Sequence, residues 1–170
     1  VGKTPIVMEI AKRYDAPVVM RGYKKSAETG DVGDEARMMA ASGLQVHVGN
    51  RKNNIDLLDK QSAKTPIVMD DGFQNPGIVK DLSILVFDEG IGFGNGFVLP
   101  AGPLREPKSA IRRADAVIII RGAKRNPNFT IPYDVPVFYA DTKTTNPYKN
   151  DHVVAFAGIG YPQKFFAALD

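Results

Sequence analysis

Continuous apolar runs restrict most strongly what this chain of 170 residues can fold into. They lie at residues 18–20, 66–69, 82–87 and 116–120, with a weaker, proline-containing run at 135–139. Apolar residues that do not alternate with polar ones indicate strands covered on both faces, as in parallel sheets, and the proline is typical of an edge strand. Between the runs, the pattern predicts helices at 34–42 and 55–58 and a short strand at 45–48. We therefore predict an α/β fold, a mostly parallel sheet flanked by helices.

The composition excludes several classes of protein. There is no cysteine, so a disulfide framework and thiolate metal sites are both excluded. No apolar run approaches the ~20 residues that cross a bilayer, and no signal peptide is recognisable. The formal net charge of +3 is too small to argue for nucleic acid, although it is compatible with a phosphate ligand or an anionic membrane surface.

Gly2-Lys3-Thr4 matches the end of a phosphate-binding loop, G-x-x-x-x-G-K-[ST], and a helical pattern follows it. In such a loop, backbone N–H groups hold phosphate oxygens, the lysine neutralises the β and γ phosphates, and the hydroxyl binds Mg²⁺. Three residues of this kind also occur by chance. Taken alone, they are better explained as an exposed lysine at a helix start.

Asp70 and Asp71 strengthen the phosphate interpretation. They follow the apolar run at 66–69 directly, and the carboxyl end of a strand is where α/β folds place their ligands. Two adjacent acids repel each other unless a cation is near, and one carboxylate of a nucleotide site holds the Mg²⁺ shell. A solvated Asp-Asp-Gly turn is the alternative. With Lys3 and Thr4 upstream, we favour a metal site.

Two further segments each have two possible interpretations. Asp34 and Glu35 open a helix after a glycine-bearing loop, where acids ordinarily cap. A kinase also needs a base, commonly an aspartate, but spacing alone favours capping. The segment 93–107 is rich in glycine and proline and contains Arg105-Glu106. It is either a rigid loop that delivers an arginine to a phosphate or an ordinary loop with a surface ion pair. His47 and His152 have no partner pattern and are assigned no role.

Taken together, these motifs resemble the tetraacyldisaccharide 4'-kinases, and they occur in that family's order. The resemblance covers essentially the whole chain, and D-D-G-F-Q with L-P-A-G-P-L-R-E is highly specific. The matching segments are Gly2-Lys3-Thr4-Pro5, Arg21-Gly22-Tyr23, Gly33-Asp34-Glu35, Asp70-Asp71-Gly72-Phe73-Gln74, Phe93-Gly94-Asn95-Gly96, residues 99–106 and residues 155–160.

The resemblance implies a P-loop NTPase-like kinase of lipid A biosynthesis, with the beginning of a second, smaller α/β domain. It would transfer the γ-phosphate of ATP, with Mg²⁺, to the 4' hydroxyl of a tetraacyldisaccharide 1-phosphate. It would act as a peripheral protein at the cytoplasmic face of the bacterial inner membrane, in contact with membrane lipid and with no nucleic acid partner.

The resemblance also implies roles for individual residues. Gly2, Lys3 and Thr4 would bind the ATP phosphates, and Thr4 would also bind Mg²⁺. Asp70 and Glu106 are expected to complete the metal site.

Three catalytic residues are implied in the same way. Asp71 and Arg105 would act at the metal and the transferring phosphate. The resemblance implies that Asp34 is the base, in addition to any capping role.

The chain departs from the family pattern at three places. Ala36 replaces a proline, Lys24 replaces a glycine, and Tyr161 stands where many members carry histidine, so Tyr161 is left out of the expected site. We expect an incomplete P-loop kinase core at residues 1–145 and a linker with the start of a C-terminal domain at 146–170. Because the first strand, the early loop glycines and most of the second domain are missing, this chain alone is expected to be weakly active or inactive.

Two other functions remain possible from the sequence. A P-loop ATPase switch acting on a protein partner would share the Gly-Lys-Thr motif and the acids at a strand end, but it does not predict the segment 99–106. A degenerate fragment without catalysis is the other alternative.

Overall fold

The computed structural model describes residues 2–21, 33–61, 64–122, 126, 128–142, 154, 156 and 166. The chain divides into two compact units, Gly2–Asp81 and Leu82–Asp170. Each unit contains a three-stranded sheet, and both sheets are parallel throughout. The α/β class predicted from the apolar runs is therefore confirmed.

The sheet of the first unit has the order β2-β1-β3. Its strands are β1 (Val18–Met20), β2 (Val46–Val48) and β3 (Val68–Met69). Val18 pairs with Val46 on one side and with Val68 on the other, and all three residues of β1 are buried. A central strand with covered faces explains why residues 18–20 are continuously apolar.

Three helices accompany this sheet: α1 (Lys3–Tyr14), α2 (Asp34–Ala41) and α3 (Arg51–Gln61). Asp15, in the left-handed conformation at φ 48°, caps the C-terminus of α1. Apolar side chains of α1 and α2 pack on the sheet because each helix has one apolar face. The resulting core contains Val7, Ala11, Val18, Met20, Ala36 and Met39.

The second unit contains β4 (Ile84–Asp88), β5 (Ala116–Arg121) and β6 (Val137–Asp141), in the order β4-β5-β6. Val117 and Ile119 of the central strand are almost fully buried, and a 3₁₀ helix, Lys108–Arg113, adds Ile111 to the same core. Phe87, Phe93 and Phe129 contact one another with ring centroids 5.0 to 5.6 Å apart.

Most predicted elements occur, with shifted boundaries. The helical pattern at 55–58 is part of the longer helix α3, and the run at 66–69 is a strand at only two of its residues. The run at 135–139 forms β6 at an edge of its sheet, as expected. The 3₁₀ helix was not predicted. Its six residues, Lys108–Arg113, are too short for a recognisable helical period.

Several predictions fall wholly or mostly outside the described residues. The sequence also predicts a strand at 153–157 and a helix after Pro162, but only Val154, Phe156 and Phe166 of these segments are described, and the expected domain boundary between residues 145 and 146 lies outside the described residues. The division into residues 1–145 and 146–170 therefore stays a prediction. Among the described residues, no helix has the length and apolar character needed to cross a membrane.

Candidate functional site

Lys3 and Asp71 meet at the carboxyl end of the first sheet. Lys3 is the first residue of α1, and its Nζ donates to the Asp71 carboxylate although the two residues are 68 positions apart. Asp71 follows the end of β3 by two residues. The side chains are part-buried, 39% and 31% exposed, so the ion pair is only partly screened by solvent. The lysine of the Gly-Lys-Thr motif and an acid at the end of β3 thus form an ion pair.

Gly2 is the N-cap residue of α1. It precedes α1 in the left-handed conformation, at φ 80°, and no side chain caps the helix at this described residue. The first N–H groups of a helix have no partner within the helix and carry a partial positive charge. Lys3 and Thr4 therefore begin a helix whose exposed N–H groups suit a phosphate.

Asp70 is the buried member of the acidic pair. Its backbone N–H donates to the Val19 carbonyl at 3.0 Å, which continues the sheet by one residue. The residue is 5% exposed, and its Oδ1 is buried without a hydrogen-bond partner among the described residues. Burial raises the pKa of Asp70 above its ordinary value, the Asp71 charge adds to this, and Lys3 and Arg51 partly oppose it.

A buried carboxylate oxygen without a hydrogen-bond donor is of the kind that a bound water or a cation satisfies. Magnesium ions in nucleotide sites take only one or two carboxylates, the remaining ligands being water and phosphate oxygens. The part-buried hydroxyl residue Thr4 lies one position after Lys3. In chemical type, the carboxylate of Asp70 and the hydroxyl of Thr4 therefore suit a magnesium ion. In the described part of the chain, no group of three or more acidic, histidine or cysteine side chains is placed to hold a metal by itself.

Arg51 is a site residue that the sequence analysis missed. Its Nη2 donates to the Asp70 carbonyl at 2.7 Å and to the Asp71 carbonyl at 3.1 Å. Asp71 has φ 53°, a left-handed conformation that non-glycine residues seldom adopt. The only sequence signal was position, since Arg51 opens a helix directly after strand β2 and its turn.

Asp34 opens α2, as predicted, but neither acid is the N-cap. Gly33 occupies that position, and no side-chain hydrogen bond caps this described helix end. Asp34 and Glu35 lie exposed in the first turn, where their charges complement the helix dipole. Met39 and Ala36 on the opposite face anchor α2 in the core.

The glycine-rich and proline-rich segment forms a tied loop in the second unit. Asn95 Nδ2 donates to the Ala101 carbonyl at 2.8 Å, and Asn95 Oδ1 accepts from Phe97 N–H at 3.1 Å. A side chain at Gly102 would meet Asn95 Oδ1 at 2.1 Å and the Phe97 carbonyl oxygen at 2.4 Å. Only glycine therefore fits at position 102.

Beyond this loop, Arg105 is exposed and Glu106 is part-buried. Glu106 forms an ion pair with Arg113 of the 3₁₀ helix.

The structure thus brings together Lys3, Asp70 and Asp71, with Gly2 and Thr4 beside Lys3. Asp34 belongs to the same unit, whereas Arg105 and Glu106 belong to the second unit. Of the other motif residues, Gly22, Tyr23 and Tyr161 lie outside the described residues.

Comparison with known proteins gives consistent matches along the chain. A family model described as tetraacyldisaccharide-1-P 4'-kinase matches residues 1–170. Curated proteins named tetraacyldisaccharide 4'-kinase are similar over 99% of this chain. The protein from Gluconacetobacter diazotrophicus is 38% identical to this chain, and the one from Bradyrhizobium diazoefficiens is 39% identical. Those matches cover 57% and 52% of the relatives, so the chain spans a little more than half of their length.

A solved structure also matches. It is the crystal structure of LpxK from Aquifex aeolicus, described as an "apo" form in complex with ATP. The TM-score is 0.63 at 28% sequence identity, and the match covers 81% of this chain and 49% of the crystallised one.

Proposed function

Because this chain belongs to the tetraacyldisaccharide 4'-kinase family, we propose that it carries the nucleotide-binding half of an ATP-dependent lipid A kinase. The acceptor would be the 4' hydroxyl of a tetraacylated glucosamine disaccharide 1-phosphate. The observation that carries the proposal is the meeting of Lys3 with the acids at the end of β3, where a buried oxygen of Asp70 has no hydrogen-bond partner among the described residues.

The phosphate-binding role belongs to the start of α1. The N–H groups that follow Gly2 would hold phosphate oxygens, and the Lys3 ammonium would neutralise the β and γ phosphates. Lys3 would exchange part of its contact with Asp71 for these phosphates. The exchange costs little free energy. Each side chain of the ion pair is more than 30% exposed, and a phosphate oxygen is negatively charged like the carboxylate that it would replace.

Thr4, Asp70 and Glu106 are the proposed magnesium ligands, together with phosphate oxygens and water. Magnesium would neutralise charge that develops on the β and γ phosphates. Asp70 suits the role because its side chain is already buried and, in the part of the chain that the structure describes, no hydrogen-bond donor reaches its Oδ1. Asp71 would orient Lys3, and Arg105 would contact the transferring phosphoryl group.

Asp34 is the proposed base. In the reaction, the 4' oxygen of the sugar forms a bond to the γ phosphorus of ATP, and the bond from that phosphorus to the β–γ bridging oxygen breaks. The hydroxyl proton passes to Asp34, and the leaving group is ADP. The exposed position of Asp34 in the first turn of α2 leaves its carboxylate accessible to an acceptor.

An acylated acceptor lies in a membrane, so we propose that the protein works peripherally at the cytoplasmic face of the bacterial inner membrane. The excess of 22 basic over 19 acidic residues suits contact with anionic lipid.

The proposal is tested by phosphate transfer from γ-labelled ATP to tetraacyldisaccharide 1-phosphate in mixed micelles, with the chain and with a full-length relative. Magnesium-dependent ATP binding by the chain, measured by calorimetry, is the expected result. We expect Asp71→Asn to weaken it, whereas Asp59→Asn, on the exposed side of α3, leaves it unchanged.

Three other results would each mean something different. Failure of the chain to bind ATP in the presence of Mg²⁺ would overturn the proposal. ATP hydrolysis stimulated by a protein, without transfer to lipid, would favour the ATPase switch. Binding without transfer would assign the missing chemistry to segments that the longer relatives possess.

A further inference from the structure

Arg51 lies at the end of a turn that is tied to the first sheet. It opens α3, and Asn50 before it accepts a hydrogen bond from Asn53 N–H at 3.2 Å, which caps the helix. Gly49, in a left-handed conformation at φ 131°, donates its N–H to the Met20 carbonyl at 3.1 Å. The turn from β2 into α3 is therefore tied to the end of the central strand.

From this turn, the guanidinium reaches across the sheet to β3. Because the strand order is β2-β1-β3, the hydrogen bonds from Arg51 to the carbonyls of Asp70 and Asp71 span the carboxyl edge of the sheet. Two carbonyls are held by one charged donor group, and hydrogen bonds to a charged group are stronger than neutral ones.

The backbone at Asp71 is in a conformation that such hydrogen bonds can hold in place. The left-handed region is less favourable than the right-handed one for any non-glycine residue, although aspartate adopts it more readily than most. If Asp71 relaxed, its side chain would leave Lys3 and the peptide after Asp70 would rotate. The direction of both carboxylates thus depends on a backbone conformation that Arg51 restrains.

We propose that Arg51 is a positioning residue for the magnesium site. By holding the two carbonyls, it would direct the Asp70 carboxylate to the metal and the Asp71 carboxylate to Lys3. This inference rests on the proposed function, since Mg-ATP is the ligand that these acids would serve.

A positioning role predicts a selective defect. ATP affinity is measured by calorimetry with Mg²⁺ and with EDTA, for the 170-residue chain and for Arg51→Met, which keeps an unbranched apolar stem but removes the guanidinium and its donors. We expect the magnesium-dependent gain in affinity to fall about 10-fold in Arg51→Met, the effect of losing hydrogen bonds to a charged group. Affinity in EDTA should stay within about twofold, because Lys3 and the start of α1 are intact.

Two variants calibrate the measurement. Lys52→Met removes a positive charge from the next, exposed position of α3 and should behave like the unaltered chain. Arg51→Lys should recover part of the gain, because one ammonium can donate to both carbonyls. An unchanged magnesium-dependent gain in Arg51→Met would overturn the inference, and so would equal losses with and without Mg²⁺.

A second measurement does not require nucleotide. The ¹³C shifts of Asp71 report its backbone conformation, and we expect them to move away from left-handed values in Arg51→Met but not in Lys52→Met. Unchanged Asp71 shifts in Arg51→Met would refute the positioning role even if no nucleotide binds. Should the unaltered chain fail to bind Mg-ATP while these shifts respond as expected, the proposed function fails and the structural role of Arg51 stands.

Discussion

Asp70→Asn should make the nucleotide-free protein more stable while removing its response to Mg-ATP. The carboxylate is 5% exposed, and its Oδ1 has no hydrogen-bond partner among the described residues. An unsatisfied buried acceptor costs about 1–3 kcal/mol, and attraction to Lys3 and Arg51 offsets only part of this, because the pKa of Asp70 remains raised. We therefore expect the neutral amide to raise the free energy of unfolding at pH 7 by about 1 kcal/mol.

The direction in which the stability changes with pH follows from proton linkage. Burial raises the pKa of Asp70 in the folded state, so between the unfolded value, about 3.9, and the folded one the native state binds the extra proton. Stability of the unaltered protein should therefore fall as the pH rises through this window. Asp70→Asn does not lose stability in this way. Its free energy of unfolding should equal that of the unaltered protein near pH 3.5, exceed it increasingly through the window, and keep a constant difference above it.

Thermal unfolding between pH 3.5 and 8 measures the effect. For a chain of this size, about 1 kcal/mol corresponds to a shift in Tm of about 2–4 °C. A ligand at 100 times its Kd adds about 2.7 kcal/mol, so Mg-ATP should reverse the order of the two proteins. Asp59→Asn, at an exposed position of α3, is the control. A lower Tm for Asp70→Asn at pH 7, or a difference independent of pH, would refute the reasoning.

Three other substitutions test the core, the loop and the phosphate site. Met39→Ala, in the core beneath α2, should lower the free energy of unfolding by about 2–5 kcal/mol in urea titrations, whereas Met38→Ala, 47% exposed, should stay within about 0.5 kcal/mol; similar losses would contradict the packing assigned to α2. Gly102→Ala should lower Tm because Asn95 leaves no space for a methyl group, while Gly77→Ala, at ordinary contact distance, should not; equal Tm values would show that the loop yields. Lys3→Met should weaken ATP binding about 10-fold or more in calorimetry, with and without Mg²⁺ alike, and a loss confined to Mg²⁺ would assign the lysine to the metal instead.

The local order of the elements was predictable because it depends on short-range patterns. The apolar runs at 18–20 and 116–120 became central strands, and Gly43 ends the region of α2 in the left-handed conformation. Prediction was weaker where an element is short. β3 has only two residues, and the 3₁₀ helix has six, so neither repeats its period often enough to be recognised in the sequence.

The sequence by itself determined the chemistry available to this protein: a phosphate-loop terminus, acids at a strand end and an α/β order of elements. Only the tertiary structure decided that Lys3 meets Asp71 across 68 residues, that Asp70 is the buried acid, and that Arg51 holds their backbone. The physical reason is that composition and periodicity are local, whereas burial and ion pairing depend on which strands become neighbours in the sheet. Strand order brings β2 and β3 to opposite sides of β1, and a side chain that reaches across leaves no pattern in the sequence.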